Sequence, residues 1–443
     1  MAIWKAVRAS THSFYRHIGE QMGKTIYDAV IIGAGASGLM AAIAAARAGA
    51  DVILLEHMDQ AAKKILATGN GKCNYTNADQ EIENYYCDDP DFVRIVLEKF
   101  SFQDTVRFFD ELGIRPVQKN GTCIYPQSGQ ASSVKDILLA EVRRLHIPLL
   151  LSVGIRSVHK NHQKLFEIET KERRFYGRAC ILAAGGCAAK KTGSDGSGYV
   201  YAKQLGHTIV PPVPALAALL TDEDHGRLPA GIRIACTAAL FVDDKKQAVE
   251  RGELQITDYG ISGIVIFQFS RIASKALAQH RQVRVSLDFQ PELSKEQLAE
   301  YLAARFCSIY HKEQTMADAL LGFFPDKLIP VLLKRAGLAA DRKSARCSRK
   351  QAARLADQSK RYEVLISGIK GFDFAQVTAG GVPVHEIDPH RMESKKTAGL
   401  YFAGELVDVD AKCGGYNLQW AWASGYTAGI SVKEINHTKG ELR

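Results

Sequence analysis

The pattern of apolar and polar positions near the start of the chain predicts one complete βαβ unit. Ala29 to Ile32 is a short apolar run typical of a buried strand, and Leu39 to Ala48 is an alanine-rich segment that favours a helix. Gly49 marks the end of that helix, and the apolar run from Val52 to Leu55 predicts a second buried strand. Strand, helix and strand in this order indicate parallel strands in an α/β sheet.

The rest of the chain shows further changes between helical and strand periods. Helical periodicity covers residues 92–112 and 133–145, whereas strand patterns cover 149–158, 164–170 and 179–186. Residues 207–289 alternate as strands do, with proline and glycine breaks, and they predict a mainly β insertion. A capping box, Ser294-Lys-Glu-Gln297, then begins a segment whose helical periods continue to about Gly368. Residues 375–429 return to strands, a glycine-rich loop and a terminal helix.

Three glycines lie between the first strand and the first helix, in the spacing Gly33-x-Gly35-x-x-Gly38. In this motif Gly33 makes a tight turn, Gly35 lets the backbone approach a pyrophosphate, and Gly38 lets the helix pack closely on the strand. The helix N-terminus supplies N–H groups for the phosphates, and Glu56 at the tip of the second strand accepts hydrogen bonds from ribose hydroxyls. A glycine-rich turn in a core would explain the glycines alone. The strand, helix, strand and acid together predict a site for an adenine dinucleotide.

A second glycine-rich segment lies near the end of the chain. The apolar strand Leu400 to Ala403 ends at Gly404-Glu405, and Gly414-Gly415 then begins a helix. A strand tip and a helix N-terminus can place N–H groups against the ribityl chain and the electron-accepting end of a flavin ring. The alternative is a helix that packs on a sheet through its small residues, which are Ala421, Ala423, Ser424, Gly425, Ala428 and Gly429.

Composition places the chain among globular proteins of two or three domains. It has 443 residues, of which 46% are hydrophobic and 24% charged. No apolar run approaches the ~18 residues that a membrane span needs. Residues 1–24 are basic and aromatic without the apolar run of a secretory signal, so they form either a loose extension, with a native start at Met22, or a short docked helix.

Cysteine and histidine spacing argues against structural metals and disulfides. Nine cysteines form an odd set without CxxC, and the 13 histidines show neither HxxxH nor HxH spacing. We therefore predict no metal, and a reducing, cytoplasmic location. Cys73 lacks a second thiol a few residues further on, because positions 76 and 78 are Thr76 and Ala78, so we interpret it as a lone thiol beside a flavin or in the packing.

The net charge of +9 is concentrated partly in residues 341–361. A surface that binds nucleic acid is one interpretation of this basic segment. It contains no aromatic residue that could stack on bases, so a solvated helix face is favoured, and nucleic acid is not an expected partner.

Several motifs resemble those of the BaiN-like (YhiN) family of bacterial FAD-dependent NAD(P)/FAD oxidoreductases, also called aminoacetone-oxidase-like. The resemblance runs from Tyr27 to Gly429 and rests on these segments: Thr68-Gly-Asn-Gly-Lys-Cys-Asn74 with Thr76-Asn77, Tyr125-Pro-Gln-Ser128, Ala184-Gly-Gly186, Thr192-Gly-Ser-Asp-Gly-Ser-Gly198, Gly206-His207, Pro214-Ala-Leu216, and Gly404-Glu405 through Cys413-Gly-Gly-Tyr-Asn-Leu-Gln-Trp420.

This resemblance implies an α/β fold with a discontinuous FAD domain of the two-dinucleotide-binding, Rossmann-like type. The domain would be interrupted by a β-rich insertion and a helical subdomain. The expected divisions are an N-terminal extension (1–24), a first FAD-binding segment (25–206), the β-rich insertion (207–290), the helical subdomain (291–370) and a second FAD-binding segment (371–443).

The residues expected to line the FAD come from the same resemblance and from the two glycine-rich motifs. They are Gly33, Ala34, Gly35, Ala36, Ser37, Gly38, Glu56, His57, Lys64, Thr68, Gly69, Asn70, Gly71, Cys73, Asn74, Ile155, Ala184, Gly185, Gly186, Gly404, Glu405, Gly414, Gly415, Tyr416, Asn417 and Leu418. Tyr416 and Asn417 could contact substrate as well as flavin. No catalytic side chain is assigned.

The chain departs from the family pattern mainly in the insertion. Residues 257–264 read TDYGISGI where the family usually has Thr-His-x-Gly-x-Ser-Gly-Pro, so an imidazole and a proline are missing. Cys123 replaces a usual arginine, and Ala411 replaces a usual glycine. These changes put the substrate role of the insertion in doubt and leave the flavin site intact.

The function that the resemblance implies is electron transfer through FAD. NAD(P)H would deliver hydride to flavin N5, and a small organic acceptor such as an enone would receive it. No second GxGxxG is visible, so donor and acceptor would use one face of the flavin in turn. The alternatives are an amine oxidase that uses oxygen and a flavin-bearing RNA-associated protein.

Overall fold

A computed structural model of the chain describes residues 25–221 and 228–440. The predicted N-terminal extension, residues 1–24, lies outside this range. The described residues form two compact units, which we call unit one (within Met1–Pro212 and Val377–Arg443) and unit two (Val213–Gln376). The finer division of the chain into five segments stays a prediction.

The helices and strands of the described residues are numbered in chain order. The α-helices are α1 (Ala36–Arg47), α2 (Pro90–Lys99), α3 (Phe102–Glu111), α4 (Ala131–Arg144), α5 (Ser197–Gln204), α6 (Ile264–Ala278), α7 (Lys295–Cys307), α8 (Ile329–Arg335), α9 (Arg349–Lys360) and α10 (Tyr416–Gly440). Short 3-10 segments are Lys63–Gly71, Ile82–Asn84, Lys190–Thr192, Asp318–Leu320, Ser344–Arg346, Val384–Glu386 and Gly404–Leu406. The strands are β1 (Ile26–Ile32), β2 (Val52–Leu55), β3 (Thr76–Asn77), β4 (Tyr85–Tyr86), β5 (Pro116–Lys119), β6 (Cys123–Pro126), β7 (Leu149–Leu150), β8 (Ile155–Lys160), β9 (Phe166–Thr170), β10 (Arg174–Leu182), β11 (Val210–Ala215), β12 (Leu219–Thr221), β13 (Ile232–Val242), β14 (Lys245–Ile256), β15 (Gly260–Ser262), β16 (Val283–Asp288), β17 (Tyr362–Ile369), β18 (Val377–Gly381), β19 (Ile387–Asp388), β20 (Glu393–Ser394), β21 (Leu400–Phe402) and β22 (Asp410–Ala411).

The main sheet of unit one has the strand order β19-β20-β21-β10-β1-β2-β7, and the hairpin β8–β9 joins it through β10. Strands β21, β10, β1, β2 and β7 run parallel, and Ile32 of β1 lies opposite both Leu55 and Leu182. Because both faces of a parallel sheet are covered, such strands are continuously apolar, as β2 is. The predicted α/β, Rossmann-like fold class is confirmed for this unit.

Small residues of α10 allow it to pack on α1. A Cβ at Gly425 would lie 2.4 Å from the carbonyl oxygen of Ser37, and one at Gly429 would lie 2.4 Å from that of Ala41. Side chains at these two positions would therefore push the helices apart. The small residues in this stretch of α10 serve helix packing, which was the structural alternative considered from the sequence.

Unit two contains a closed antiparallel barrel with the strand order β12-β15-β14-β13-β16-β17. Helix α6 lies against β14, and α7 to α9 share the same apolar core as the barrel. The predicted capping box at the start of α7 is confirmed, because Ser294 Oγ accepts the N–H of Gln297 at 3.1 Å.

Two elements of unit two correct the sequence predictions. Residues 264–278 form helix α6 within the segment predicted as mainly β. Its β-branched first turn is typical of a strand, but Val265, Phe269 and Ala273 are buried at the i, i+4, i+8 spacing of a helix. The helical periods predicted up to Gly368 are confirmed in α7, α8 and α9 and are wrong only beyond Lys360. Residues 362–369 form β17, where alternate side chains such as Tyr362 and Val364 are buried in the barrel.

The helix predicted over residues 92–112 is divided into α2 and α3. Ser101 interrupts it, because its Oγ accepts the N–H of Asp104 while Asp104 accepts the N–H of Ser101. A reciprocal capping box of this kind begins a new helix. The spacing Ser101-x-x-Asp104 is visible in the sequence, but the apolar period continues across it.

A buried hydrogen-bonded network in unit one joins the end of α5 to β20. His207 Nδ1 lies 2.7 Å from Glu386 Oε2, and His207 Nε2 lies 2.7 Å from Ser394 Oγ. Ser394 Oγ already accepts the N–H groups of Lys396 and Thr397. The hydroxyl therefore donates to Nε2, and Nδ1–H donates to Glu386, which makes His207 neutral.

The pKa values of both titratable groups in this network, His207 and Glu386, are lowered. Burial lowers the pKa of His207 below its ordinary value of 6.5, against the opposing effect of Glu386. Burial opposes ionisation of Glu386, but hydrogen bonds from Lys396, Thr208 and His207 outweigh it and lower its pKa to about 2. Protonation of either group is therefore coupled to unfolding.

We predict that His207 makes the stability of the chain depend on pH. Because its folded pKa lies below the unfolded value, its contribution is complete above pH 6.5 and is lost as the pH falls through the folded pKa. His207→Gln keeps one donor and one acceptor but cannot be protonated. Calorimetric melting temperatures measured from pH 7.5 to pH 5 should fall more steeply for the wild type than for His207→Gln. Parallel curves would contradict the assignment.

Candidate functional site

Four loops of unit one leave the main sheet at the carboxyl edge of its parallel strands. Gly33 follows β1, Glu56 follows β2, Ala184 lies just beyond β10, and Gly404 lies just beyond β21. In open α/β sheets, ligands bind in the crevice outside this edge. The structure thus brings together the two glycine-rich motifs that lie more than 350 residues apart in the sequence.

The three glycines of the first motif have different surroundings. A Cβ at Gly33 would lie 2.5 Å from the carbonyl oxygen of Ala183, and one at Gly38 would lie 1.8 Å from that of Gly33. Both positions therefore need glycine for the fold itself. A Cβ at Gly35, by contrast, would meet no atom within 4 Å. Gly35 precedes the first turn of α1, which contains Ala36 and Ser37, so the open space lies at a helix N-terminus, where an anion is stabilised.

The Glu56 carboxylate is buried and held in a fixed orientation. Its Oε2 accepts the N–H of Ala34 and its Oε1 accepts the N–H of Met58, each at 2.8 Å. His57 Nδ1 lies 3.2 Å from Oε1, and this hydrogen bond raises the pKa of His57. Oε2 accepts one bond and has a second lone pair, so Glu56 can still accept a bond from a ribose hydroxyl.

Residues after β7 and in the loop before α5 lie beside Glu56. The N–H of Val153 donates to the carbonyl oxygen of Glu56 at 2.8 Å, and Ile155, two residues further on, begins β8. Asp195 Oδ2 lies 3.8 Å from His57 Nε2. Both segments therefore border the position predicted for the adenosine portion of the cofactor.

An ion pair joins the Lys63–Gly71 segment to the end of β21. Lys64 Nζ lies 2.6 Å from Glu405 Oε2, and both side chains are partly buried. Glu405 Oε1 accepts the N–H of Thr378 at 3.1 Å. A Cβ at Gly186 would lie 2.5 Å from Thr378 Oγ1 and 2.7 Å from Glu405 Oε1, so glycine is required there.

The loop that follows Thr68 has an unusual backbone. Gly69, Asn70, Gly71 and Cys73 all have φ between +52° and +79°. For Asn70 and Cys73 this left-handed conformation is strained, and such strain is frequent at ligand sites. Thr68 supports the turn, since its carbonyl oxygen accepts the N–H of Cys73 at 3.0 Å.

Residues 75–77 are fixed to the beginning of α10. Asn77 Nδ2 donates to the carbonyl oxygen of Gly414 at 2.7 Å, and Thr76 Oγ1 lies 2.7 Å from Gln419 Oε1. A Cβ at Gly415 would lie 2.7 Å from the carbonyl oxygen of Thr76. This close approach requires glycine and places the loop beside the first turn of α10, which includes Leu418. The first N–H groups of a helix have no acceptor within the helix.

Tyr416 and Asn417 use their side chains to hold neighbouring loops. Asn417 Oδ1 accepts the N–H of Ala411, and its Nδ2 donates to the carbonyl oxygen of the same residue, each at 2.9 Å. The hydroxyl of Tyr416 donates to Asp79 Oδ2 at 3.3 Å. Of the two roles considered from the sequence, these contacts favour a positioning role for both side chains.

Cys73 is buried, and its burial raises the pKa of the thiol to about 12. A thiol with such a pKa stays protonated at neutral pH and is a poor nucleophile. All nine cysteines are free. These observations are consistent with the lone, non-reacting thiol that the sequence predicts.

Two observations fit the predicted dinucleotide. One is the open space at Gly35, at the N-terminus of α1. The other is the side-chain oxygen of Asn74, which is buried and has no hydrogen-bond partner among residues 25–221 and 228–440. The phosphates of FAD would fill the space at Gly35, and one of its hydrogen-bond donors would pair with Asn74 Oδ1. The site therefore fits FAD.

Two supporting residues were not identified from the sequence. Thr378 Oγ1 accepts the N–H groups of Cys187 and Ala188, at 2.8 and 3.0 Å. Ser424 Oγ accepts the N–H of Gly404 at 2.9 Å. Ser424 was noted only as one small residue of α10, and the sequence carries no signal for either pairing, because each joins segments that are distant along the chain.

The described residues also bear on membrane spans and metal sites. Within residues 25–221 and 228–440, no helix is long and apolar enough to cross a membrane. Nor do these residues contain a group of three or more His, Cys, Asp or Glu side chains that could hold a metal ion.

Comparison with known proteins places the chain among relatives of similar length. A family model described as HI0933-like protein Rossmann domain matches residues 27–431. The chain is 42% identical over 406 residues to the 3-dehydro-bile acid delta(4,6)-reductase of Clostridium scindens, with 91% of this chain and 98% of that protein covered. It is 29% identical over 408 residues to the ribosomal RNA dihydrouridine synthase of Haemophilus influenzae, again with 91% and 98% covered.

Among solved structures, the 3-ketosteroid delta1-dehydrogenase from Sterolibacterium denitrificans is similar in fold. The TM-score is 0.50 at 11% identity, and the alignment covers 93% of this chain and 100% of that one.

We predict that Gly35→Val and Gly38→Ala will fail in different ways. Gly35 has φ −80° and ψ −164°, a conformation that valine adopts, and open space around it, so Gly35→Val should fold with a melting temperature close to the wild type. Its side chain would occupy the predicted phosphate position, so flavin should be lost. Gly38→Ala should instead lower the free energy of unfolding of the flavin-free protein by the ~1–3 kcal/mol typical of overpacking or more, and its melting temperature should fall accordingly. The measurements are melting temperature and flavin-to-protein absorbance ratio. Wild-type flavin content in Gly35→Val would show that this loop does not hold the phosphates.

Proposed function

The chain belongs to the HI0933-like family of Rossmann-domain proteins and is an FAD-dependent oxidoreductase, and we propose that it transfers hydride from NAD(P)H to a small enone. Bound FAD supplies a two-electron carrier whose N5 accepts hydride from a donor and gives it to an acceptor. In the net reaction, NAD(P)H and one proton convert the enone to the saturated ketone, and NAD(P)+ is released.

The observation that carries the proposal is the cradle at the carboxyl edge of the sheet. The open position at Gly35 supports binding of the pyrophosphate at the N-terminus of α1, and the fixed carboxylate of Glu56 supports binding of the ribose. The N-terminus of α10 supplies a positive dipole end that stabilises negative charge on a reduced ring. The Lys64–Glu405 pair holds the loops between these two helix ends.

An enone acceptor is supported by the chemistry in the name of the relative with 42% identity. A 3-dehydro steroid with a Δ4 double bond carries a carbon–carbon double bond conjugated with a carbonyl. Hydride adds to the distant carbon of such a system, and a proton adds next to the carbonyl. We extend this acceptor class, and not the bile acid itself, to this chain.

An RNA substrate is the second candidate. It is favoured by the relative with 29% identity, whose name describes saturation of a uridine ring, again a double bond conjugated with a carbonyl. Unit two also offers a basic groove of about 450 Å³, whose lining includes Lys295, Arg335, Lys350 and Arg354. Lys295 is paired with Asp357, whereas Lys350 and Arg354 are exposed. Exposed cations of this kind suit the phosphates of a nucleic acid.

Anaerobic stopped-flow spectroscopy tests the leading proposal. We expect the purified protein to be yellow with non-covalent FAD, and NADH or NADPH to bleach the flavin absorbance. Addition of a steroid or cyclic enone should restore the absorbance without oxygen, while a saturated ketone, as the matched control, should not. Flavin that an amine reduces and only oxygen reoxidises would favour the amine oxidase instead. A colourless protein that does not take up FAD would contradict the proposal.

Gel shifts at several salt concentrations separate the two candidates. If RNA is the substrate, affinity should fall with salt by about 0.7 log unit per log unit of salt for each phosphate contact. The double variant Lys350→Glu/Arg354→Glu should then lose most of the binding. Lys245→Glu/Lys246→Glu changes the same charge on the exposed β13–β14 hairpin and should not. The leading proposal expects weak binding that both variants reduce equally.

A further inference from the structure

Asn74 is a polar side chain in the site whose hydrogen bonding is incomplete. It is 8% exposed, and its Oδ1 is buried without a hydrogen-bond partner in the described residues. A buried acceptor without a partner costs free energy, and native proteins seldom retain one without a reason. Of the neighbouring polar side chains, Thr76 and Asn77 have partners, whereas the buried hydroxyl of Tyr75 has none in the described residues.

Glycines on two sides of Asn74 allow close backbone contacts around its side chain. A Cβ at Gly415 would lie 2.8 Å from Asn74 Oδ1, so any other residue at position 415 would cover this atom. On the other side of the residue, a Cβ at Gly69 would lie 2.7 Å from the backbone nitrogen of Asn74. Glycine at both positions therefore lets the chain approach Asn74 closely and keeps its acceptor beside the beginning of α10, without a protein donor among the described residues.

We propose that Asn74 Oδ1 accepts a hydrogen bond from the N3–H of the flavin ring. This inference rests on the proposed FAD binding. An acceptor requires a donor, and FAD carries N–H groups in two places, at N3 of the ring and on the adenine. The adenosine end belongs at Glu56, after β2, and β1 and β10 lie between β2 and the β21–α10 side of the sheet. Asn74 is on the α10 side, where FAD offers the N3–H of the ring and the hydroxyls of the ribityl chain as donors. We assign N3–H, and FAD methylated at N3, which keeps the hydroxyls, separates the two.

The assignment gives Asn74 a positioning role that also affects the redox potential. A neutral amide acceptor fixes the ring without adding charge. A carboxylate in its place would add a negative charge next to a ring that becomes anionic on reduction, and like charges disfavour that form. The identity of residue 74 should therefore change the midpoint potential of the flavin.

Titration of the flavin-free full-length protein with FAD and with FAD methylated at N3 tests this contact. The wild type should bind the methylated cofactor at least tenfold more weakly than FAD. Asn74→Leu should bind both cofactors equally and FAD at least tenfold more weakly than the wild type does. The flavin-free Asn74→Leu protein should melt at a higher temperature than the flavin-free wild type, because an unpaired buried acceptor has been removed.

Thr427→Val is the matched control, because Thr427 Oγ1 is another buried atom without a partner in the described residues and lies further along α10. Its flavin-free form should also melt at a higher temperature, but its preference for FAD over the methylated cofactor should equal that of the wild type. Equal discrimination by Asn74→Leu and the wild type would overturn the assignment.

Asn74→Asp provides a second readout, because it keeps an acceptor of the same size. It should retain FAD and shift the midpoint potential to more negative values. An unchanged potential, with FAD retained, would overturn the assignment of Asn74 while leaving FAD binding intact. Absence of FAD binding by the wild-type protein would overturn the proposed function as well, so the two failures are distinguishable.

Discussion

The close approach of the first turn of α1 to its neighbours is the constraint on which the site depends. A Cβ at Gly404 would lie 2.4 Å from Ser37 Oγ, and one at Gly425 would lie 2.4 Å from the carbonyl oxygen of Ser37. Gly38 lets the same turn rest on Gly33. Three distant segments thus meet at one helical turn only because they carry glycine there. The arrangement fixes the N-terminus of α1. Gly35 differs from the other glycines, because the protein atoms around it leave room for a side chain. A requirement for glycine that comes from packing therefore differs physically from one that comes from a ligand.

The sequence predicted the first βαβ unit and the α/β class, because each depends on local period and spacing. The meeting of the two glycine motifs was expected because both were assigned to one FAD, as the family resemblance implies. The predictions from the sequence failed where tertiary contacts determine the secondary structure or the hydrogen-bond partner. Helix α6 has a strand-like composition and is helical because its apolar positions pack on the barrel, and β17 follows a helix without a clear break in pattern. The pairings of Thr378 and Ser424 join segments that only the fold brings together. Tyr416 and Asn417 were expected near the cofactor, and the structure adds that their side chains hold the adjacent loops.

Satisfied and unsatisfied polar groups carry different information about function. The arrangement Ser394–His207–Glu386 has the residue types and the 2.7 Å contacts of a hydrolytic triad. Yet Ser394 Oγ already accepts two backbone N–H groups and donates to His207, so the hydroxyl has no hydrogen bond left for a substrate. This network stabilises the fold. Asn74 has no such geometry, but its buried oxygen is left without a partner among the described residues, beside Gly415 at the beginning of α10. The incomplete bonding, rather than the familiar constellation, indicates where a ligand completes the structure.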